Sequence, residues 1–122
     1  MPTMRIPLRI VFYEEGGNWI AHSLEFDLVG AGEDKESAFK ILGEAIGIQF
    51  AASLRTGNIN NLFRPAESES FRKFFEGKDI AKGTRRITIN PPASKGVKFE
   101  KAHMREWRPE TSPVRRISRV LV

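Results

Sequence analysis

A mixed α+β fold is predicted by three features of the chain. Two successive segments alternate polar and apolar residues, a glycine pair joins them, and a long apolar pattern of helical spacing begins after Asp34. The expected order is three antiparallel strands and one long helix, then a short second helix and one or more further strands.

From Arg5 to Tyr13, Ile6, Leu8, Ile10 and Phe12 alternate with Arg5, Pro7 and Arg9, the period of a half-buried strand. Pro7 cannot donate to a ladder, which suggests an edge position. Glu14-Glu15-Gly16-Gly17-Asn18 supplies residues that tolerate positive φ, so a hairpin is expected. The alternation resumes at Trp19, with Ile20, Leu24 and Phe26 expected on one face and His22 between them as a half-buried structural residue. Leu28-Val29-Gly30-Ala31-Gly32 reads as a third short strand that stops at a tight turn.

Asp34 is placed to cap a helix running to about Arg55, with Glu36 near its positive end. Ala38, Ile41, Leu42, Ala45, Gln49 and Ala52 share one face, while Phe39, Ile46 and Phe50 add apolar surface elsewhere; Glu36, Lys40 and Glu44 form the polar stripe. A helix this apolar needs cover on its outer flank, from the C-terminal half or from a second copy. Gly43, Gly47 and Ala51 recur at four-residue spacing, which suggests close approach by a neighbouring backbone.

Beyond a Gly/Asn turn and Pro65, Ser68 is expected to cap a short helix that places Phe71, Phe74 and Phe75 over the core, with Gly77 past its end. Arg85 to Asn90 reads as a fourth strand with Ile87 and Ile89 inward, stopped by Pro91-Pro92. The reading divides the chain into a domain over 1–92 and a basic extension over 93–122. In that extension Val114 to Val122 suggests an edge strand packing on the domain or on a second subunit.

Composition sets the function classes. With 122 residues and 40% apolar content, one packed core is affordable; with no cysteine there is no disulfide framework and no thiol nucleophile. Neither a signal peptide nor a membrane span is present in the pattern, so a cytoplasmic protein is expected. Charge is split: residues 1–60 carry 5 Lys+Arg against 8 Asp+Glu, whereas residues 61–122 carry 15 against 7. The second half is therefore the candidate polyanion surface. Its candidate contacts are Arg85, Arg86, Lys95, Lys98, Lys101, Arg105 and Arg108, with Trp107 interleaved, and then Arg115, Arg116 and Arg119.

Catalytic patterns are sparse. Glu25 and Asp27 are two carboxylates near a strand end, too few for a metal cage, and neither His22 nor His103 has metal-ligand spacing around it. Gly30-Ala31-Gly32-Glu33 lacks the third glycine and the Lys-Ser/Thr pair of a phosphate loop. The expectation is a protein that binds rather than catalyses, without cofactor.

The run Trp19-Ile20-Ala21-His22-Ser23-Leu24-Glu25-Phe26-Asp27-Leu28-Val29-Gly30-Ala31-Gly32-Glu33-Asp34-Lys35-Glu36-Ser37-Ala38, followed by Leu42-Gly43-Glu44-Ala45-Ile46, resembles the HicB-like antitoxin pattern over about residues 8–50. The resemblance implies a partial RNase H-like βββαβ fold without catalytic residues. It also implies a bacterial homo-oligomer that neutralises a small basic HicA-type toxin and binds nucleic acid through a C-terminal module. Here Arg86 to Pro91 is followed by no pair of amphipathic helices, and the second half is basic. The alternative is an orphan HicB-like oligomer that binds DNA or RNA without a toxin.

Overall fold

A computed structural model describes residues 3–4, 7–89 and 97–109. Its elements are β1 (Thr3–Met4), β2 (Leu8–Glu15), β3 (Asn18–Ser23), β4 (Leu28–Gly32), α1 (Lys35–Arg55), a 3-10 turn (Ile59–Leu62), α2 (Ser68–Glu76), β5 (Lys78–Ile89) and β6 (Val97–Glu106). The fold is mixed α+β: one sheet and two helices, with α1 on one face of the sheet and α2 on the other.

β2, β3 and β4 form an antiparallel meander. The β2–β3 turn pairs Glu15 with Asn18 and holds Gly16 at φ 59° and Gly17 at φ 82°, the left-handed pair that a two-residue hairpin turn requires. β6 lies on the other side of β2 and runs parallel to it, while β1 pairs with the start of β6; β5 is antiparallel to β6 and outermost. Across the sheet the order is β4, β3, β2, β6, β5. The first long strand is thus interior rather than at an edge, and Pro7 stands ahead of its first paired residue, where its missing N–H disturbs no ladder bond.

Because β2 is covered on both sides, its alternate residues enter two cores. Leu8, Ile10 and Phe12 face α1, together with Ala21, Phe26, Ile87, Phe99, Ala102 and Met104 of the sheet and Ala38, Leu42, Ile46 and Phe50 of the helix. Val11 enters the second core with Leu24, Ala66, Phe74 and Trp107, flanked by Tyr13 and Phe71. Leu24 and Phe26, expected on one face, lie in different cores, since the chain leaves β3 at Ser23 and turns before β4. Asp27 in that turn adopts φ 52°.

Asp34 caps α1 through a 2.7 Å bond from Ser37 N–H to its Oδ1, and this bond holds its carboxyl below the ordinary range. The buried stripe of α1 is Ala38, Leu42, Ile46, Gly47, Phe50 and Ser53, rotated from the expected face so that Ile41 is exposed. Gly43 meets no neighbouring atom, which corrects the close-approach reading there. Close approach occurs instead at Gly30 of β4, where a Cβ would collide with the α1 backbone at Leu42 and Ala38. α2 begins at Ser68 with Glu67 in the cap position and no side-chain capping bond, so Ser68 is its first residue and not its cap. The fourth strand starts at Lys78, seven residues before Arg85.

The part expected to be an extension contributes β6, an interior strand with Phe99, Ala102 and Met104 in the main core. The expected edge strand over 114–122 lies outside the described residues, as do Asn90, Pro91 and Pro92. Among the described residues no helix is long and apolar enough to cross a membrane.

Candidate nucleic-acid interface

α2 covers the β2 side of its sheet face, packing Phe74 and Phe71 on Val11 and Leu24, and reaches β6 at His103 and Arg105; among the described residues the Arg86–Lys98 end of the β5–β6 hairpin has no element over that face. Ile87 and Phe99 are paired across the hairpin and both point into the α1-side core. Strand alternation therefore sends Arg86 and Lys98 to the opposite, uncovered face. There Arg86 and Lys101 are exposed and Lys98 is half-buried, and none of the three makes an ion pair among the described residues.

The same face carries Thr84, which is exposed and paired in register with His103. His103 Nε2 is 2.7 Å from Asp79 Oδ1, and Arg105 Nε is 3.2 Å from the same oxygen. The His103 hydrogen bond, with the Arg105 guanidinium beside it, holds the Asp79 carboxyl below the ordinary carboxylate range. His103 also meets the Phe74 ring edge-on at 5.2 Å between centroids. Phe75 stands next to this cluster and is 64% exposed, held edge-on against Phe74. Sequence spacing put Phe75 in the core with Phe71 and Phe74. Three residues at i, i+3 and i+4 do share a side of a helix, but the sheet beneath α2 covers only part of it.

The remaining sequence candidates divide sharply. Arg105 is tied down, donating from Nη1 to the carbonyls of Phe74 at 3.1 Å and Phe75 at 3.4 Å. Arg108 lies 2.5 Å from Glu106 Oε2. Trp107 is 7% exposed inside the second core, its indole N–H directed at Glu76 Oε2 at 3.2 Å and its backbone N–H at Phe12 O. Arg85 is in register with Ala102 on β5. Lys95, Arg115, Arg116 and Arg119 lie outside the described residues. The structure thus puts Arg86, Lys98 and Lys101 on one face with His103, which the sequence reads as another member of the basic surface, and exposes Phe75 of α2, which sequence reasoning had not assigned to the site.

The two carboxylates weighed for metal binding have separate partners. Glu25 accepts from the Arg9 backbone N–H at 2.6 Å and from Arg9 Nε at 2.8 Å, and Asp27 Oδ1 is 2.7 Å from His22 Nε2. Among the described residues, no group of three His, Asp or Glu is placed to hold a metal ion.

Chemically, the open hairpin face offers cations for phosphate oxygens, a hydroxyl donor and an exposed ring for base stacking. No protein-family model, curated protein or solved structure matches this chain.

Proposed function

We propose that this chain is a HicB-like regulatory protein that acts by binding, and that the open β5–β6 face is where it contacts a nucleic acid. The observation carrying this reading is the placement of Arg86, Lys98 and Lys101 on one face of the hairpin, none of them in an ion pair among the described residues. The order of a β2–β3–β4 meander, α1 and a returning strand parallel to β2 supports the partial RNase H-like arrangement, with β5 and α2 as additions to it. Engagement of Glu25 by Arg9 and of Asp27 by His22 supports binding over metal-dependent cleavage. The test is fluorescence anisotropy with labelled single- and double-stranded DNA and RNA across a salt series. Each phosphate contact contributes about 0.7 to 0.9 to the slope of log K against log salt, so Arg86→Ala/Lys98→Ala/Lys101→Ala lowers its magnitude by about 2 to 3. The Arg115→Ala/Arg116→Ala/Arg119→Ala variant separates the tail from this face. Absence of salt-dependent binding by the wild type refutes the reading.

A second reading, toxin neutralisation, is favoured by one observation. A cleft of about 280 Å³ at the far end of β2 is lined by Tyr13, Glu14, Glu15, Glu69, Arg72, Lys73, Trp107 and Pro109, with Glu69 paired to Arg72. Lys73 already seats its ammonium there, 4.2 Å from the Tyr13 ring centroid and 5.1 Å from that of Trp107. A basic HicA-type toxin complements the Glu14 and Glu15 carboxylates at the rim of this cleft. Relief of such a toxin's growth arrest by the wild type, lost in Glu14→Lys/Glu69→Lys, supports it; no relief refutes it.

A further inference from the structure

We propose that the cleft between α1 and strands β2 and β5 binds a small apolar carboxylate, a single ring or short alkyl chain bearing one carboxyl group, with Lys40 as its counter-ion. The cleft measures about 190 Å³, and its walls are Ile10 of β2, Ile87 of β5, and Phe39, Leu42 and Ile46 of α1. Ile10, Leu42, Ile46 and Ile87 are buried members of the main core. The cleft is therefore a gap in that core that opens at the surface.

The gap follows from how α1 is seated. Gly30 lets β4 approach the helix backbone at Ala38 and Leu42, which holds α1 over one end of the sheet. Only the flank with Phe39, Gly43 and Ile46 turns toward β2 and β5. Gly43 lies well inside α1, where glycine is the least favourable residue after proline. No packed neighbour explains it, since a Cβ there would meet nothing within 4 Å. What the missing side chain supplies is access. At 100° per residue Gly43 stands between Phe39 and Ile46 on one side and Lys40 on the other, so any larger residue would extend over the opening.

The lining selects the occupant. An apolar cavity of about 150 Å³ lined by Leu, Ile and Phe stays dry and takes up benzene, because a bound water needs roughly two to four polar partners. This cleft is somewhat larger and its walls are as apolar, so a six-membered ring or a comparable alkyl chain fits it. Lys40 is the only charged residue bordering the cleft. It is exposed and makes no ion pair among the described residues, not even with Glu36 and Glu44 one turn away on either side. One ammonium balances one carboxylate, whereas a phosphate monoester, with nearly two charges, would leave one uncompensated above an apolar wall. Arg86 faces the opposite side of the sheet, which makes this site independent of the nucleic-acid reading.

The test is an NMR titration of the isotope-labelled full chain, at low ionic strength, with phenylacetate and with its neutral analogue phenylacetamide. The wild type is expected to bind phenylacetate with a Kd of about 1 mM or tighter, through saturable amide shifts centred on Phe39 to Ile46 and on Ile87. Phenylacetamide is expected to bind about three- to fivefold more weakly, the scale of one exposed charge pair. Gly43→Met fills the cleft with a better helix former, and is expected to keep the folded spectrum and abolish the shifts. Lys40→Met keeps the apolar stem and is expected to bind the two probes equally. A wild type without saturable shifts overturns the proposal, and so does phenylacetate binding that survives Gly43→Met. An undiminished preference for phenylacetate in Lys40→Met overturns the assignment of Lys40 as counter-ion.

Discussion

Replacing Gly30 with alanine adds a single methyl group at the contact between β4 and α1. Its Cβ would stand well inside 3.0 Å of Leu42 N and Ala38 O, and 2.9 Å from Leu42 Cα. All three are backbone atoms of a helix whose Ala38 and Leu42 side chains are themselves fully buried, so no flexible side chain can yield. Reaching ordinary contact near 3.5 to 4 Å requires α1 to move by about 1 Å off the sheet, and overpacking of this kind costs about 1 to 3 kcal/mol. Alanine also restricts the unfolded chain, which offsets about 0.4 to 1 kcal/mol. The net expectation is a loss of about 1 to 2 kcal/mol, or roughly 3 to 10 °C in Tm. Gly43→Ala is the matched control. It makes the same chemical change on α1 at a position with nothing within 4 Å, beside a cleft of about 190 Å³, and is expected to stabilise by about 1 kcal/mol. Urea denaturation of both variants reads the two effects on one scale. Equal stability of Gly30→Ala and wild type, or a loss in Gly43→Ala, refutes the close-packing argument.

Glu106 gives an acid limb to the stability curve: burial pushes its carboxyl up, but hydrogen bonds from Lys35 and Arg108 outweigh this and hold it below the ordinary range. A depressed carboxyl contributes stability above its unfolded pKa that is lost as pH falls through the folded one, so Glu106→Gln is expected to flatten the denaturation midpoint below about pH 4.5. Tyr13 is the single tyrosine, raised first by burial and then by Glu15 and Asp27, and absorbance titration is expected to place its ionisation above 10, moving down in Glu15→Gln. Glu25→Ala strips the acceptor from the Arg9 backbone N–H and is expected to cost about 1 to 3 kcal/mol in chemical denaturation, with Glu25→Gln losing less.

The stretch from β2 to α1 was legible because its signals are local. Period-2 alternation, the Gly16-Gly17 turn and the Asp34 cap each act within a few residues; β4 and α1 have the expected bounds, while β2 runs from Leu8 to Glu15 and β3 ends at Ser23, three residues before the expected Phe26. The inward face of α1 was not legible, since apolar residues stand on most of its circumference and only contact with β4 selects Ala38, Leu42 and Ile46 over Ile41. β6 escaped for a different reason. Ile87 pairs with Phe99 and Arg85 with Ala102, so Glu100 and Lys101 oppose the single residue Arg86. This bulge flips the phase of alternation between Phe99 and Ala102, and a charge-rich segment with a phase slip matches no strand template. Trp107 illustrates the reverse case: flanked by charges in sequence it reads as a stacking platform, yet its register next to Glu106 carries it into the second core.

Asp79 offers the most direct challenge to the nucleic-acid reading, because it is the acidic side chain paired with Arg105 and hydrogen-bonded to His103 on that face. It holds both His103 and Arg105, and its depressed pKa keeps it charged through the neutral range. Asp79→Asn raises the local charge by one unit and releases His103 from its carboxylate partner. Arg105 stays anchored by the carbonyls of Phe74 and Phe75, so the hairpin geometry has an independent support. A face that binds phosphate should gain from this change, with tighter binding and a salt slope steeper by about 0.7 to 0.9 for one added contact. A structural Asp79 with no polyanion on this face predicts the opposite pattern: lower thermal stability, from loss of the His103 bond, and unchanged affinity. Measuring Tm and anisotropy on the same variant distinguishes the two, and unchanged or weaker binding by a folded Asp79→Asn protein refutes the placement of nucleic acid on β5 and β6.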